Sequence, residues 1–201
     1  TMGDTSQMPD IVPIDHATFV MKWGESVILN DPTSAEKLLG QPTANIILVT
    51  DIHGDHFSSS TLSTVKGNAT LIVPQAVRDL LPSDLQSSAK VLRNGESIVE
   101  QGFTITAIPA YNRLDADNKD RHVKGRGNGY LVERDGYRVY IAGDTAGVPE
   151  MRALTDIDVA FVPMNLPFTM DPDEAASAVL DFKPKKVYPY HYRTQQGLAD
   201  I

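Results

Sequence analysis

The stretch Ile46-Ile47-Leu48-Val49-Thr50-Asp51-Ile52-His53-Gly54-Asp55-His56 constrains this chain more than any other. A continuous apolar run of this length, bounded by polar residues, reads as a buried strand, and it opens directly onto four potential ligands: Asp51, His53, Asp55 and His56. While the chain is still extended, Asp51, His53 and Asp55 alternate and therefore project to one side. His56 follows in the turn. Imidazole and carboxylate together suit zinc, iron, manganese and similar ions, so this strand end is a place where a metal centre can be built. Cysteine is absent from all 201 residues, which excludes disulfides and thiolate ligands and leaves any metal to nitrogen and oxygen. The plainer alternative is a polar loop whose histidines only hydrogen-bond. Against it, two of only five histidines in the chain fall here beside two aspartates.

Further β-type runs lie at Ala17–Trp23, Val27–Asn30, Ile46–Thr50, Leu71–Val73, Phe103–Ile108, Gly129–Arg134, Tyr137–Ala142, Val159–Pro163 and Lys186–Tyr190. They are rich in β-branched and aromatic residues and bounded by Gly, Pro, Asp or Asn. Asp135-Gly136 predicts a two-residue hairpin turn, because both residues accept positive φ. The clearest helix is predicted over Pro172–Phe182. Asp171 is its N-cap, Pro172 its first residue and Glu174 the partner of a capping box. Shorter helices are expected from Ser59, Gln75 and Pro149, and a long polar loop over Asn112–Asn128. Length and composition predict one globular domain over 1–201. The formal charge of −8 argues against a general nucleic-acid partner, which needs clustered cations, and no apolar run is long enough for a membrane helix. The first ten residues lack the build of a signal peptide. A cytoplasmic protein, or a periplasmic or secreted one whose leader has been removed, is therefore expected.

Asp51-Ile52-His53-Gly54-Asp55-His56 resembles the His-x-His-x-Asp-His signature of the metallo-β-lactamase-fold hydrolases, with the first His replaced. Three more motifs follow that family's order. His16-Ala17-Thr18-Phe19 with Asn30-Asp31-Pro32 looks like the opening strands of the branch similar to L-ascorbate-6-phosphate lactonase. Ala142-Gly143-Asp144-Thr145 resembles the Gly-Asp-Thr with its metal-bridging aspartate, and Tyr188-Pro189-Tyr190-His191 the final metal histidine. The resemblance implies a four-layer αβ/βα sandwich of two mixed β-sheets flanked by helices. It also implies one metal position held by Asp55, His56, Asp144 and His191, with zinc as the expected ion. At a second position the family has a histidine where this chain has Asn112, leaving Asp51, His53, Asn112 and shared Asp144. That harder donor set shifts preference toward Mn2+, Mg2+ or Ca2+, or leaves the position empty. His122, in the polar loop, reads first as a solvated loop residue, with replacement of the missing imidazole from a distance as the alternative.

The resemblance and these ligands imply a metal-dependent hydrolase acting on a small ester, lactone, amide or phosphoester, with Asp55 also orienting the water as a catalytic group. His16, Lys124 and Arg126 are candidate substrate-binding residues, the two cations because glycines beside them let the backbone approach an anion and Arg pairs bidentately with carboxylate or phosphate. A metal- or ligand-binding protein with weak or no catalysis is the alternative. A metal-dependent nuclease is a third, kept open only by Lys119, Arg121, Lys124 and Arg126.

Overall fold

A computed structural model describes residues 8–191, 193–194 and 197–198. The chain divides into two compact units, one ending at Val91 and the other beginning at Leu92.

The first unit is a six-stranded mixed sheet in simple sequence order. Strands β1 (Asp10–Asp15), β2 (Thr18–Trp23) and β3 (Ser26–Asn30) form an antiparallel meander. Strands β4 (Ile46–Leu48), β5 (Thr70–Val73) and β6 (Lys90–Val91) continue it in parallel from β3. The apolar run at 46–49 is thus a central strand with parallel neighbours, and all four of its side chains are fully buried, as parallel strands require. Ile47, Val49, Leu71 and Val73 pack with Leu62 of α1 (Ser59–Val65), Val77 of α2 (Gln75–Arg78) and Leu85 of α3 (Ser83–Ser88). Each such side chain contributes about 1.5–3 kcal/mol of transfer free energy. The α1 helix starts where Ser58 accepts a hydrogen bond from the Thr61 amide, the N-cap that halts the preceding loop.

The second unit repeats the plan with a sheet ordered β12-β11-β10-β9-β8-β7. Its strands are β7 (Ser97–Glu100), β8 (Phe103–Ala110), β9 (Gly127–Arg134), β10 (Tyr137–Ile141), β11 (Val159–Pro163) and β12 (Lys186–Tyr190). The first four are antiparallel and the last three parallel. The Asp135-Gly136 turn is present, with φ of 51° and 80° and Arg134 opposite Tyr137. Gly129 lets β9 lie close against the end of β10, since a Cβ there would fall 2.7 Å from the Ala142 carbonyl oxygen. Leu131, Tyr140, Ala160 and Val162 pack with Met151 of α4 (Pro149–Arg152) and with Ala175, Ala178 and Phe182 of α5 (Pro172–Phe182).

Helix α5 has the predicted bounds, and Asp171 caps it by accepting from the Glu174 amide at 2.7 Å. The capping box is a correction: Glu174 Oε1 accepts from the Gly147 amide at 3.1 Å instead, tying α5 to the loop before α4. The predicted loop 112–128 is shortened, because Gly127 and Asn128 already belong to β9. A short antiparallel pair, β13 (Arg193–Thr194) and β14 (Gly197–Leu198), follows. Among the described residues no helix is long and apolar enough to cross a membrane.

Candidate metal centre

In the first unit the functional side chains follow from how β3 and β4 end. The Asp31 amide, just past β3, donates to the Leu48 carbonyl, and the Thr18 hydroxyl donates to the Asp31 carbonyl. Asp31 adopts a φ of 45°, a left-handed conformation that Asp tolerates better than most residues. Its carboxylate then accepts from the Thr50 amide at 2.7 Å and the Thr50 hydroxyl at 2.6 Å. The other neighbour is His56, whose Nδ1 lies 2.7 Å from Asp31 Oδ2. Asp31 and His56 are both completely buried. Burial pushes the Asp31 carboxyl upward, while the His56 charge and the hydrogen bonds from His56 and Thr50 oppose that shift. A carboxylate at Nδ1 fixes the ring so that Nδ1 carries the hydrogen and Nε2 presents its lone pair.

His56 Nε2 lies 3.8 Å from Asp55 Oδ1, on a side chain 37% exposed. Asp51 Oδ2 lies 2.9 Å from His53 Nδ1, so this pair also presents one imidazole against one carboxylate. The turn that makes this possible is closed by the amides of His56 and Phe57, both donating to the His53 carbonyl at 2.9 Å.

In the second unit Asp144 stands in the turn after β10. Gly143 takes a φ of 70° there, and its amide donates to the Tyr190 hydroxyl at 2.8 Å. The next residue after Tyr190 is His191, so strand β12 holds the Asp144 turn and presents the histidine together. Asp144 Oδ1 lies 2.8 Å from His191 Nδ1, and Oδ2 lies 2.9 Å from His122 Nε2. All three side chains are buried. His191 is also approached by Asn165 Nδ2 at 3.2 Å from its Nε2. On the other side of the turn, Thr145 and Ala146 bond the backbone of Tyr111.

In the second unit a buried carboxylate has an imidazole at each oxygen, and in the first a buried histidine is locked by a carboxylate. Nitrogen and oxygen donors of these types suit a divalent cation of intermediate hardness. Asp51, His53, Asp55 and His56 of the first unit and His122, Asp144 and His191 of the second carry the candidate ligand atoms.

Other predicted residues are used differently. Asn112 is fully buried; its Nδ2 donates to the carbonyls of Asn118 and Phe168, and its Oδ1 faces His122 Nδ1 at 3.2 Å. The amide expected as a ligand is therefore engaged with its own unit. Lys124 pairs with Glu150 at 2.9 Å and lies over the Tyr111 ring. Burial pushes Glu150 up, but hydrogen bonds from Lys124, its own backbone and Tyr111 outweigh it and hold the carboxyl below its ordinary value. Arg126 donates to the Arg121 carbonyl. His16 occupies the turn between β1 and β2 with a φ of 46°. Motif and spacing assign no role to Asp31, Thr50, Tyr190 or Asn165. Of these, Asp31 and Tyr190 carry a signal, as members of Asn30-Asp31-Pro32 and Tyr188-Pro189-Tyr190-His191.

A family profile described as "Beta-lactamase superfamily domain" matches residues 10–191. Among similar proteins, a UPF0173 metal-dependent hydrolase of Thermococcus onnurineus is 31% identical over 199 residues, covering 92% of this chain and 85% of the relative. Another from Thermus thermophilus is 31% identical over 195 residues, covering 93% and 85%. A crystal structure from Parabacteroides distasonis matches with a TM-score of 0.83 at 38% identity, over 92% of this chain and 82% of that one. Igni18 of Ignicoccus hospitalis, described as a metallo hydrolase, has a TM-score of 0.76 at 23% identity over 96% and 86%, a likeness of fold.

Proposed function

This chain belongs to the beta-lactamase superfamily domain family and, within it, to the UPF0173 metal-dependent hydrolases, and from that membership we propose that it hydrolyses a small ester, lactone, amide or phosphoester with a metal-activated water. The two units are read as halves of one domain, in keeping with a family match that runs through both. Asp55, His56, Asp144 and His191 are the proposed ligands of the first ion, with zinc the expected one. Asp51, His53 and Asp144 are proposed for a second position, which takes Mn2+, Mg2+ or Ca2+ or stays empty. The observation that carries this reading is the buried Asp144 carboxylate with an imidazole at each oxygen.

When bound, a divalent cation supplies Lewis acidity toward a carbonyl or phosphoryl oxygen and lowers the pKa of water from about 15.7 to near 7. The chain's own groups do the rest. Asp31 and Thr50 hold the His56 ring with Nε2 outward. Tyr190 holds the Asp144 turn. Asp55, the proposed catalytic residue, orients the attacking water and holds its proton at a carboxylate that solvent can reach. Lys124 and Arg126 are proposed to meet an anionic group of the substrate, Lys124 by exchanging Glu150 for it, and His16 is proposed as a further substrate-binding residue. The likeness of residues 16–19 and 30–32 to the lactonase branch supports a lactone among the candidates.

The test is metal analysis of the purified chain joined to turnover of chromogenic esters, lactones and phosphodiesters. About one or two ions per chain are expected from the ligand count, and His56→Ala and Asp144→Ala should abolish metal binding and turnover together. Full activity after thorough chelation refutes the reading. A second reading, a binding protein with weak or no catalysis, is favoured by a pair of replacements: Asp51 and Asn112 stand where the family motifs have histidines. Tight metal with no turnover on any ester, lactone, amide or phosphoester would select it.

A further inference from the structure

We infer that His122 supplies the imidazole missing from the second metal position and that Asn112, standing where the family motif has its histidine, is the positioning residue that aims it. The inference rests on the metal-dependent reading above and adds to it a ligand from outside the motif order.

A ligand in a long polar loop needs its ring held, and the loop here is pinned around His122. Asn118 Nδ2 donates to the Pro167 carbonyl, and the Arg121 guanidinium lies 4.1 Å over the Phe168 ring. The Asn112 amide donates to the His122 carbonyl at 2.9 Å. His122 is 3% exposed, which sets aside the reading of a solvated loop residue.

The orientation follows from counting hydrogens. An asparagine amide has two N–H donors and one carbonyl acceptor. Both donors of Asn112 are spent, each at 2.9 Å, on the carbonyls of Asn118 and Phe168. Its Oδ1 is therefore turned toward His122 Nδ1, 3.2 Å away, and an acceptor there calls for the hydrogen on Nδ1. His122 Nε2 lies 2.9 Å from Asp144 Oδ2. With the hydrogen on Nδ1, that approach calls for a positive charge between the two atoms, either a proton on Nε2 or a cation bound by both, and we take the divalent cation because Asp144 has a second imidazole at its other oxygen. The hydrogen bond from the distal ring nitrogen to a neutral carbonyl is the arrangement by which metal-ligating histidines are oriented.

The experiment uses the full chain, stripped with chelator and reloaded with Zn2+ or Cd2+. Ions per chain and chelator-competition affinities are measured alongside long-range 1H–15N spectra of the histidine rings. In the wild type, Cd2+ should move the His122 Nε2 resonance to a metal-bound position while Nδ1 keeps its hydrogen. His122→Ala should lose the weaker-bound ion, or weaken it at least about tenfold, and keep the tighter one. Asn112→Ala should weaken the same ion by about 10–100-fold, the usual effect of removing such an orienting partner, and remove the Nδ1–H signature of His122. The wild-type spectra need no variant, so the inference stays testable if a substitution prevents folding. Metal uptake that moves His56 but leaves His122 Nε2 unchanged at saturation overturns this inference alone. A wild-type chain that takes up no divalent ion overturns the hydrolase reading with it.

Discussion

Replacing Asp31 by asparagine should uncouple folding from metal binding, and the size of each effect follows from three contacts. Asp31 accepts from the Thr50 amide, the Thr50 hydroxyl and His56 Nδ1 at 2.6–2.7 Å, all of them buried. In Asp31→Asn the oxygen can still accept from the Thr50 amide. The new NH2 group, however, faces the Thr50 hydroxyl and His56, and two donors cannot share that space. The cheapest relief is for His56 to move its hydrogen from Nδ1 to Nε2, so that Nδ1 accepts from the asparagine. Loss of a hydrogen bond to a charged group costs about 1.5–3 kcal/mol, against a total stability of about 5–15 kcal/mol. The variant should therefore fold. Its Nε2, now carrying hydrogen, is the wrong tautomer for a ligand, and metal affinity should fall about 10–100-fold, or about 1.4–2.8 kcal/mol at about 1.4 kcal/mol per decade. Urea unfolding in chelator measures the first number and chelator competition the second. An Asp31→Asn protein that binds metal as tightly as the wild type would show that Asp31 does not set the His56 ring. Asp31→Ala is a harsher change, leaving all three donors without their acceptor, and should cost about 3–5 kcal/mol.

Other outcomes rest on single contacts. Gly129→Ala should lower stability by about 1–3 kcal/mol, because its Cβ would press on the backbone oxygens of Ile141 and Ala142; an unchanged thermal midpoint contradicts this. Tyr190→Phe leaves the buried Gly143 amide without its acceptor and should cost about 1–3 kcal/mol, with weaker metal retention. Equal metal affinity in the two proteins would show that the hydroxyl does not place Asp144. Glu150, held below its ordinary value beside Lys124, contributes stability that is present above the unfolded-state pKa and lost as pH falls through the lower folded one. A carboxyl titration by NMR should find its midpoint below that of solvent-exposed glutamates, and Lys124→Met should raise it.

What the sequence made legible was whatever local chemistry repeats or concentrates. The buried run at 46–49, the Asp135-Gly136 hairpin and helix α5 declared themselves because apolar period and turn residues agree over many positions. Strands β1, β6 and β7 did not. All three lie at sheet edges; β6 is only two residues long, and in the others the alternation is diluted, as in Val99, which is 72% exposed, and Pro13 within β1. Helix α3, with the sequence Ser-Asp-Leu-Gln-Ser-Ser, buries only Leu85 and has no period to read. Glu174 satisfied a local rule for capping, yet a partner from the loop at Gly147 claimed its carboxylate. At the candidate site, potential donor atoms were readable because histidine and aspartate are chemically distinctive. The roles of Asp31, Asn112 and Tyr190 were not, because an orienting residue is recognised by the atom it faces, and those atoms lie 25, 10 and 47 positions away.

Because the Tyr190 hydroxyl grips the turn beside Asp144 while the next residue is His191, the bite between that carboxylate and that imidazole is inherited from the sheet and not from either loop. Loops loosen first on heating, and paired strands last. A bite set by strands keeps its width while surface segments open, so if Asp144 and His191 hold the proposed ion, discrimination between ions of different radius, which depends on cavity size and rigidity, should persist almost to the temperature at which the second unit itself melts.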